Sequence, residues 1–255
     1  MPQNDARSAG PHSGTLLIIG GGRFPPELQE EIVRLGRGPD GRAEWVFIPT
    51  AEADDVAPTL KPLGFIARAS DKVSVLHTRD PAEADTEAFA APLHTATAVF
   101  IFGGRQFRLV DAYAGTRTER ELRGLLTRGS LLAGVSAGAT IMGSYLVRGH
   151  PSDDASIMMW PEYESGFGYL TNVAIDQHVS ARNRERDLAP VIAAHPELLG
   201  IGLDEGTGAV VRQNEMRVVG SGNIFITDGR DHDGEPYYRL SAGDRFDLAN
   251  WAKLG

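Results

Sequence analysis

Along the chain, short apolar runs that end in turn residues alternate with segments whose apolar positions recur at helical spacing. Thr15–Ile19, Glu44–Ile48, Lys72–Leu76, Thr97–Phe102 and Leu131–Val135 predict strands. Short runs with little polar alternation are what strands buried on both faces leave in a sequence. Pro25–Leu35 predicts a helix: Pro25 and Pro26 suit a first turn, and Leu28, Ile32 and Leu35 share one face. Strands alternating with helices in this way predict an α/β fold with a mainly parallel sheet.

After Tyr145 the pattern changes. A Gly/Pro/Asp-rich stretch from Gly149 to Gly168 carries Met158, Met159, Trp160 and Tyr163, a loop long enough to be a candidate lid. Leu170–Ile175 is strand-like. Ala209–Arg212, Met216–Val219 and Asn223–Thr227, separated by Gly and Asn, predict antiparallel hairpins extending the sheet. Residues 1–13 are polar and rich in Pro, Gly and Ser, so a flexible tail is expected there, followed by one domain over 14–255.

Composition narrows the chemistry. The chain has 255 residues, 42% hydrophobic and 23% charged, as a folded globular protein does. The net charge of −9 disfavours a nucleic-acid partner, which needs clustered cations to displace counterions. There is no cysteine, which excludes disulfides, thiolate metal sites and a cysteine nucleophile. No apolar run is long enough for a signal peptide or membrane span, so no membrane partner and a cytoplasmic location are expected. Walker A, His-Glu-x-x-His and calcium-loop spacings are absent, so neither metal nor cofactor is expected. Gly20-Gly21-Gly22 after the first strand resembles a dinucleotide loop, but Pro25 stands where the third fingerprint glycine belongs.

The strongest local signal is Gly134-Val135-Ser136-Ala137-Gly138, between an apolar run and the helical run Ala139–Met142. Gly-x-Ser-x-Gly at a strand-to-helix turn puts the serine on a sharp elbow with its hydroxyl outward. The N–H of Ala137 and one from Gly103 or Gly104, which follow the fourth strand, are candidate oxyanion donors. Serine needs a base, and His178, in Asp176-Gln177-His178 at a strand end, has the most suggestive surroundings. His195 reads as a helix end and His232 as a charged turn. The base needs a carboxylate, for which Leu199–Thr207 offers Asp204 and Glu205; alternation points them to opposite sides, so only one can face the histidine.

These residues resemble the serine peptidases that comprise cyanophycinase and the aspartyl dipeptidase peptidase E. The resemblance runs from about Gly14 to Asp228, through Ile18–Gly22, Phe47–Ala51, Phe102–Gln106, Gly134–Gly138, Asp176–His178 and Gly202–Thr207. It implies a three-layer sandwich like a class I glutamine amidotransferase, a homodimer, and no cofactor. It also implies Ser136 as nucleophile, His178 as general base and Glu205 as third member. In the dipeptidase branch the acid is an aspartate between serine and histidine, so the Ser, His, Glu order leans toward cyanophycinase. Gln106, Asp176, Gln177, Arg182 and Arg184 match positions that line the family's pocket. Two residues depart: Asp187 stands where the family has a third cation, and Arg105 where cyanophycinase has Asn.

The function expected is hydrolysis of an aspartyl peptide or isopeptide bond, of the β-Asp-Arg type, through an acyl-enzyme. The alternatives are an α-aspartyl dipeptidase or broader peptidase on the same fold, and a catalytically silent amidotransferase-like binding protein.

Overall fold

The computed structural model describes residues 8–53, 63–152, 154 and 156–255. In chain order the strands are β1 (Thr15–Ile19), β2 (Glu44–Ile48), β3 (Lys72–Val75), β4 (Ala98–Ile101), β5 (Leu131–Val135), β6 (Gly143–Tyr145), β7 (Leu170–Gln177) and β8 (Leu199–Leu203). There follow β9 (Thr207–Arg212), β10 (Glu215–Gly220), β11 (Ile224–Thr227), β12 (Tyr238–Leu240), β13 (Arg245–Asp247) and β14 (Ala252–Leu254). The five apolar runs of the N-terminal half are therefore all strands, to within a residue of their expected ends.

Nine strands form one sheet in the order β14-β13-β10-β9-β1-β5-β4-β2-β3. From β1 to β3 every pairing is parallel, and from β1 outward through β9 to β14 every pairing is antiparallel. Alternate residues of β1 serve opposite faces. Leu17 and Ile19 pack with Leu28, Ile32 and Leu35 of α1 (Pro26–Leu35) and Ile66 of α2 (Gly64–Arg68). Leu16 and Ile18 face the other side, with Ala84 of α3 (Pro81–Ala84), Phe89 of α4 (Glu87–Ala90), Leu109 of α5 (Gln106–Tyr113) and Leu122 of α6 (Arg117–Thr127). These four apolar β1 side chains are fully buried, each worth about 1.5–3 kcal/mol.

The expectation of one extended sheet is corrected at this point. β9 and β10 extend it, but β7, β8 and β11 belong to a second sheet, ordered β12-β11-β8-β7-β6, whose β6-β7-β8 portion is parallel. The cause lies in β7. Leu170, Val173 and Ile175 pack into the core shared with the first sheet, while Ala174 turns toward Leu188, Val191 and Ile192 of α8 (Leu188–Ala194). Over the C-terminal half, the layer covering the first sheet is thus itself a sheet, with a helix outside it. The elbow helix is also shorter than expected: α7 (Ala137–Thr140) is a single turn leading directly into β6.

The tail expected over residues 1–13 is described only from Ser8, and from there it is fastened. Ser8 Oγ donates to Asn172 O and accepts from Trp251 Nε1 at 3.0 Å each, Ala9 bridges Thr171, and Ser13 Oγ donates to Leu126 O at 3.1 Å. The Gly149–Gly168 loop, where described, is pinned as well. Arg148 N–H donates to Met158 O, Leu146 N–H to Glu164 O, and Tyr163 Oη to Asp111 Oδ1. Among the described residues no helix is long and apolar enough to cross a membrane.

Candidate active site

In the first sheet β1, β5 and β4 are adjacent and parallel, so their carboxyl ends open on one crevice. Each ends in small residues: Gly20-Gly21-Gly22 after β1, Ser136 after β5, and Gly103-Gly104 after β4. The parallel pair β7 and β8 of the second sheet ends at the same crevice, delivering His178 and Glu205. Two sheets thus meet at one site.

Ser136 has φ 55° and ψ −116°. A side-chain-bearing residue held there stores about 1–3 kcal/mol of strain. The elbow is fixed on both sides. Ser136 N–H donates to Ile19 O, and Ser136 O accepts from Ala139 and Thr140 N–H at 2.9 Å each. Gly138 is required by close approach, because a Cβ there would lie 2.2 Å from Ile101 O. Gly103 passes across the serine, its Cβ position 3.1 Å from Ser136 Cβ.

Ser136 Oγ is 3.1 Å from His178 Nε2, and His178 Nδ1 is 2.6 Å from Glu205 Oε1. With Glu205 ionised, Nδ1 carries the proton and donates it, leaving Nε2 to accept from the serine hydroxyl. Of the two acids left open by the sequence, Glu205 faces the histidine. Asp204 is buried on the other side, accepting from Ser180 N–H at 2.9 Å and Asn223 N–H at 3.0 Å. It is a positioning residue that ties the turn after His178 to the turn before β11.

The Gly20–Gly22 turn, which resembled a dinucleotide loop, is instead the bed of the histidine and the glutamate. A Cβ on Gly21 would lie 2.1 Å from His178 Cε1, and one on Gly22 would lie 2.7 Å from Glu205 Oε2. Gly20 O accepts from His178 N–H and Gly21 O from Gly206 N–H, so the turn orders both. Sequence reasoning missed this role. The signal was present, since these glycines directly follow the strand that lies beside the serine strand.

The cleft beside Ser136 holds about 420 Å3 and is lined by Gly103, Gly104, Gln106, Gln177, Arg182 and Arg184, all expected there. Asp176 was expected to line it too; it lies beneath the floor instead, fully buried, because its carboxylate is spent inside the protein. It accepts from Arg148 Nε and Nη2 at 2.9 Å each. Arg148 also donates to Asp187 Oδ2 at 2.6 Å. Arg105 extends from the N-cap of α5 and donates to His150 O and Ser152 O, drawing the loop over the cleft as a wall. Arg148 and His150, also in the lining, had no sequence signal beyond their place in that loop.

Burial pulls the His178 imidazole below its ordinary value of 6.5, against the upward pull of Glu205; the Arg182 and Arg184 charges add to the lowering. A neutral imidazole at pH 7 is what a base for serine requires. Protonation removes that capacity, so activity falls as pH drops through this depressed value. The expected kcat/KM profile therefore rises along an acid limb placed below pH 6.5 and is flat through neutrality. Arg182→Gln, by removing a like charge, moves the limb to higher pH. A limb above pH 7 in the unaltered protein contradicts this placement.

A sequence model of peptidase family S51 matches residues 16–219. A cyanophycinase from Trichormus variabilis is 31% identical over 273 residues, covering 97% of this chain and 92% of that one. A peptidase E from Salmonella typhi is 26% identical over 254 residues, covering 91% and 99%. The crystal structure of a peptidase from an acI-B1 Actinobacterium superposes with a TM-score of 0.72 at 24% identity, covering 93% of this chain and 98% of that one.

Proposed function

The chain belongs to peptidase family S51, and from that premise we propose that this serine peptidase is an exopeptidase that hydrolyses aspartyl peptide or isopeptide bonds through an acyl-enzyme on Ser136. The observation that carries the reading is the row Glu205 Oε1, His178, Ser136 Oγ, with separations of 2.6 and 3.1 Å.

Ser136 Oγ attacks the scissile carbonyl while His178 Nε2 takes its proton, and Glu205 holds the imidazole and stabilises the imidazolium. The oxyanion is received by the N–H of Ala137 and one from Gly103 or Gly104. His178 then returns the proton to the leaving amine. A water then attacks the acyl carbon as His178 takes its proton, and the C–Oγ bond breaks as His178 returns that proton to Ser136 Oγ, releasing the acid. No step calls for a metal or cofactor, and among the described residues no three His, Asp or Glu are grouped to hold a metal ion.

The Ser, His, Glu order and the similarity to cyanophycinases favour the β-aspartyl isopeptide over the α-aspartyl peptide. Arg105 in the pocket lining and Asp187 on Arg148, which change the charge beside the pocket, favour the α-aspartyl or broader reading. The test is a panel of β-aspartyl and α-aspartyl substrates, followed by mass spectrometry of trapped enzyme. Serine-dependent turnover of an aspartyl bond, with the acyl group on Ser136, is the expected result. Turnover of none, with no labelling of Ser136 by a small serine-directed reagent, favours the silent binding protein. The family resemblance favours a homodimer, which sedimentation tests, and the expected cytoplasmic location is tested by fractionation.

A further inference from the structure

The cleft is strongly cationic although the chain carries a net charge of −9. Among the described residues its lining holds Arg105, Arg148, Arg182 and Arg184 and one carboxylate, Asp154. The two acids bonded to Arg148, Asp176 and Asp187, which a cationic substrate group would seek, are already occupied. Asp176 gives one oxygen each to Arg148 Nε and Nη2, with Oδ1 also accepting from Gln177 N–H; Asp187 accepts from the same Nη2. Arg148, 7% exposed, therefore sits in the cleft lining as an internal guanidinium that already holds both carboxylates.

Arg184 is left in the opposite condition. It is 8% exposed, its Nη1 makes no hydrogen bond among the described residues, and it reaches Asp176 Oδ1 only at 4.0 Å. Burial and the neighbouring Arg148 charge pull it below its ordinary value, as for a cation short of counter-charge. The Gln106 Nε2 donor in the same wall is buried without a hydrogen-bond partner as well. A buried guanidinium with an unused donor is completed by a carboxylate, which takes it in a two-point geometry.

We propose that the pocket selects aspartyl substrates in which the residue joined to the aspartate carries a side-chain carboxylate, received by Arg184 and Arg182, and rejects those carrying an arginine there because Arg148 occupies Asp176 and Asp187 from within. This deepens the reading above and rests on it for the bond cleaved, while the charge selectivity is a property of the pocket alone.

The test uses two readouts. In turnover, the dipeptides Asp-Glu and Asp-Arg are compared in both linkages. One charge-assisted hydrogen bond gained against like-charge repulsion corresponds to about tenfold or more in kcat/KM for Asp-Glu. In binding, the same dipeptides are titrated calorimetrically into Ser136→Ala protein, which reads the pocket without catalysis. Arg148→Met uncovers two carboxylates, so the preference shrinks below about threefold or inverts. Asp187→Asn leaves the Arg148–Asp176 pair intact and makes the wall more positive, so the preference for Asp-Glu widens. This second variant keeps the test sharp if Arg148→Met does not fold. Tighter binding of Asp-Arg by the Ser136→Ala protein, or a narrowed preference in Asp187→Asn, overturns the proposal. Selective binding of Asp-Glu with no turnover of either peptide leaves it standing and overturns the peptidase reading instead.

Discussion

Ser136→Ala is expected to lower kcat by about 10^4- to 10^6-fold on any substrate the protein turns over. In the proposed mechanism the hydroxyl is both the attacking group and the proton donor to His178 Nε2, 3.1 Å away. Nothing else described beside it can take either part. His178→Ala should cost a comparable factor, and the double variant little more than either alone, because attack and proton transfer are one event. That non-additivity separates a catalytic row from a chance contact; two independent roles would multiply. The backbone adds a second readout. At φ 55° and ψ −116° glycine is unstrained, so Ser136→Gly should be inactive yet more stable by about 1–3 kcal/mol. Retained turnover in either serine variant overturns the acyl-enzyme mechanism.

Much of this site was visible in the residues, and the manner in which it was visible is instructive. Strands β1, β2, β4 and β5 are apolar runs that stop at small or turn residues, and a doubly covered parallel strand has no other way to look. Ser136 announced itself through Gly134 and Gly138, which close approach of the backbone demands. The choice of Glu205 over Asp204 needed only strand alternation and the resemblance.

Sheet membership was not visible. The runs that became β7 and β9 have the same apolar character, yet one joins the second sheet and the other the first. Pairing partners are set by what packs on each face, as Ala174 against Ile192 illustrates, and periodicity carries none of that. Asp176 shows a related limit. A carboxylate beside a presumed base at a strand end is equally consistent with a pocket wall and a buried ion pair. Only Arg148, 28 positions earlier, decides between them. Asp187, a departure when read against the family, is the other half of that same arrangement.

The Gly20–Gly22 turn supplies the second large effect. Gly21→Ala is expected to lower kcat by about 100-fold or more while the chain still folds. The added Cβ would fall 2.1 Å from His178 Cε1 and 2.7 Å from both ring nitrogens, so the imidazole must leave the plane that joins Ser136 to Glu205. Retreat is hindered because His178 N–H is held by Gly20 O and Val179 N–H by Leu203 O. A ring displaced by about 1 Å no longer aligns with the serine, and misplacement on that scale costs roughly two orders of magnitude. Gly21 also has φ 126°, which itself strains alanine, so a control must separate strain from displacement. Gly41 has φ 81° and nothing within 4 Å of its Cβ position. Gly41→Ala should lose about 1 kcal/mol or more of stability, as any alanine at positive φ does, and keep full turnover. If Gly21→Ala matches Gly41→Ala in activity, the turn is only a strand end. If it loses kcat at comparable stability, the turn is the bed on which the base is set, and Gly21 and Gly22 owe their identity to His178 and Glu205.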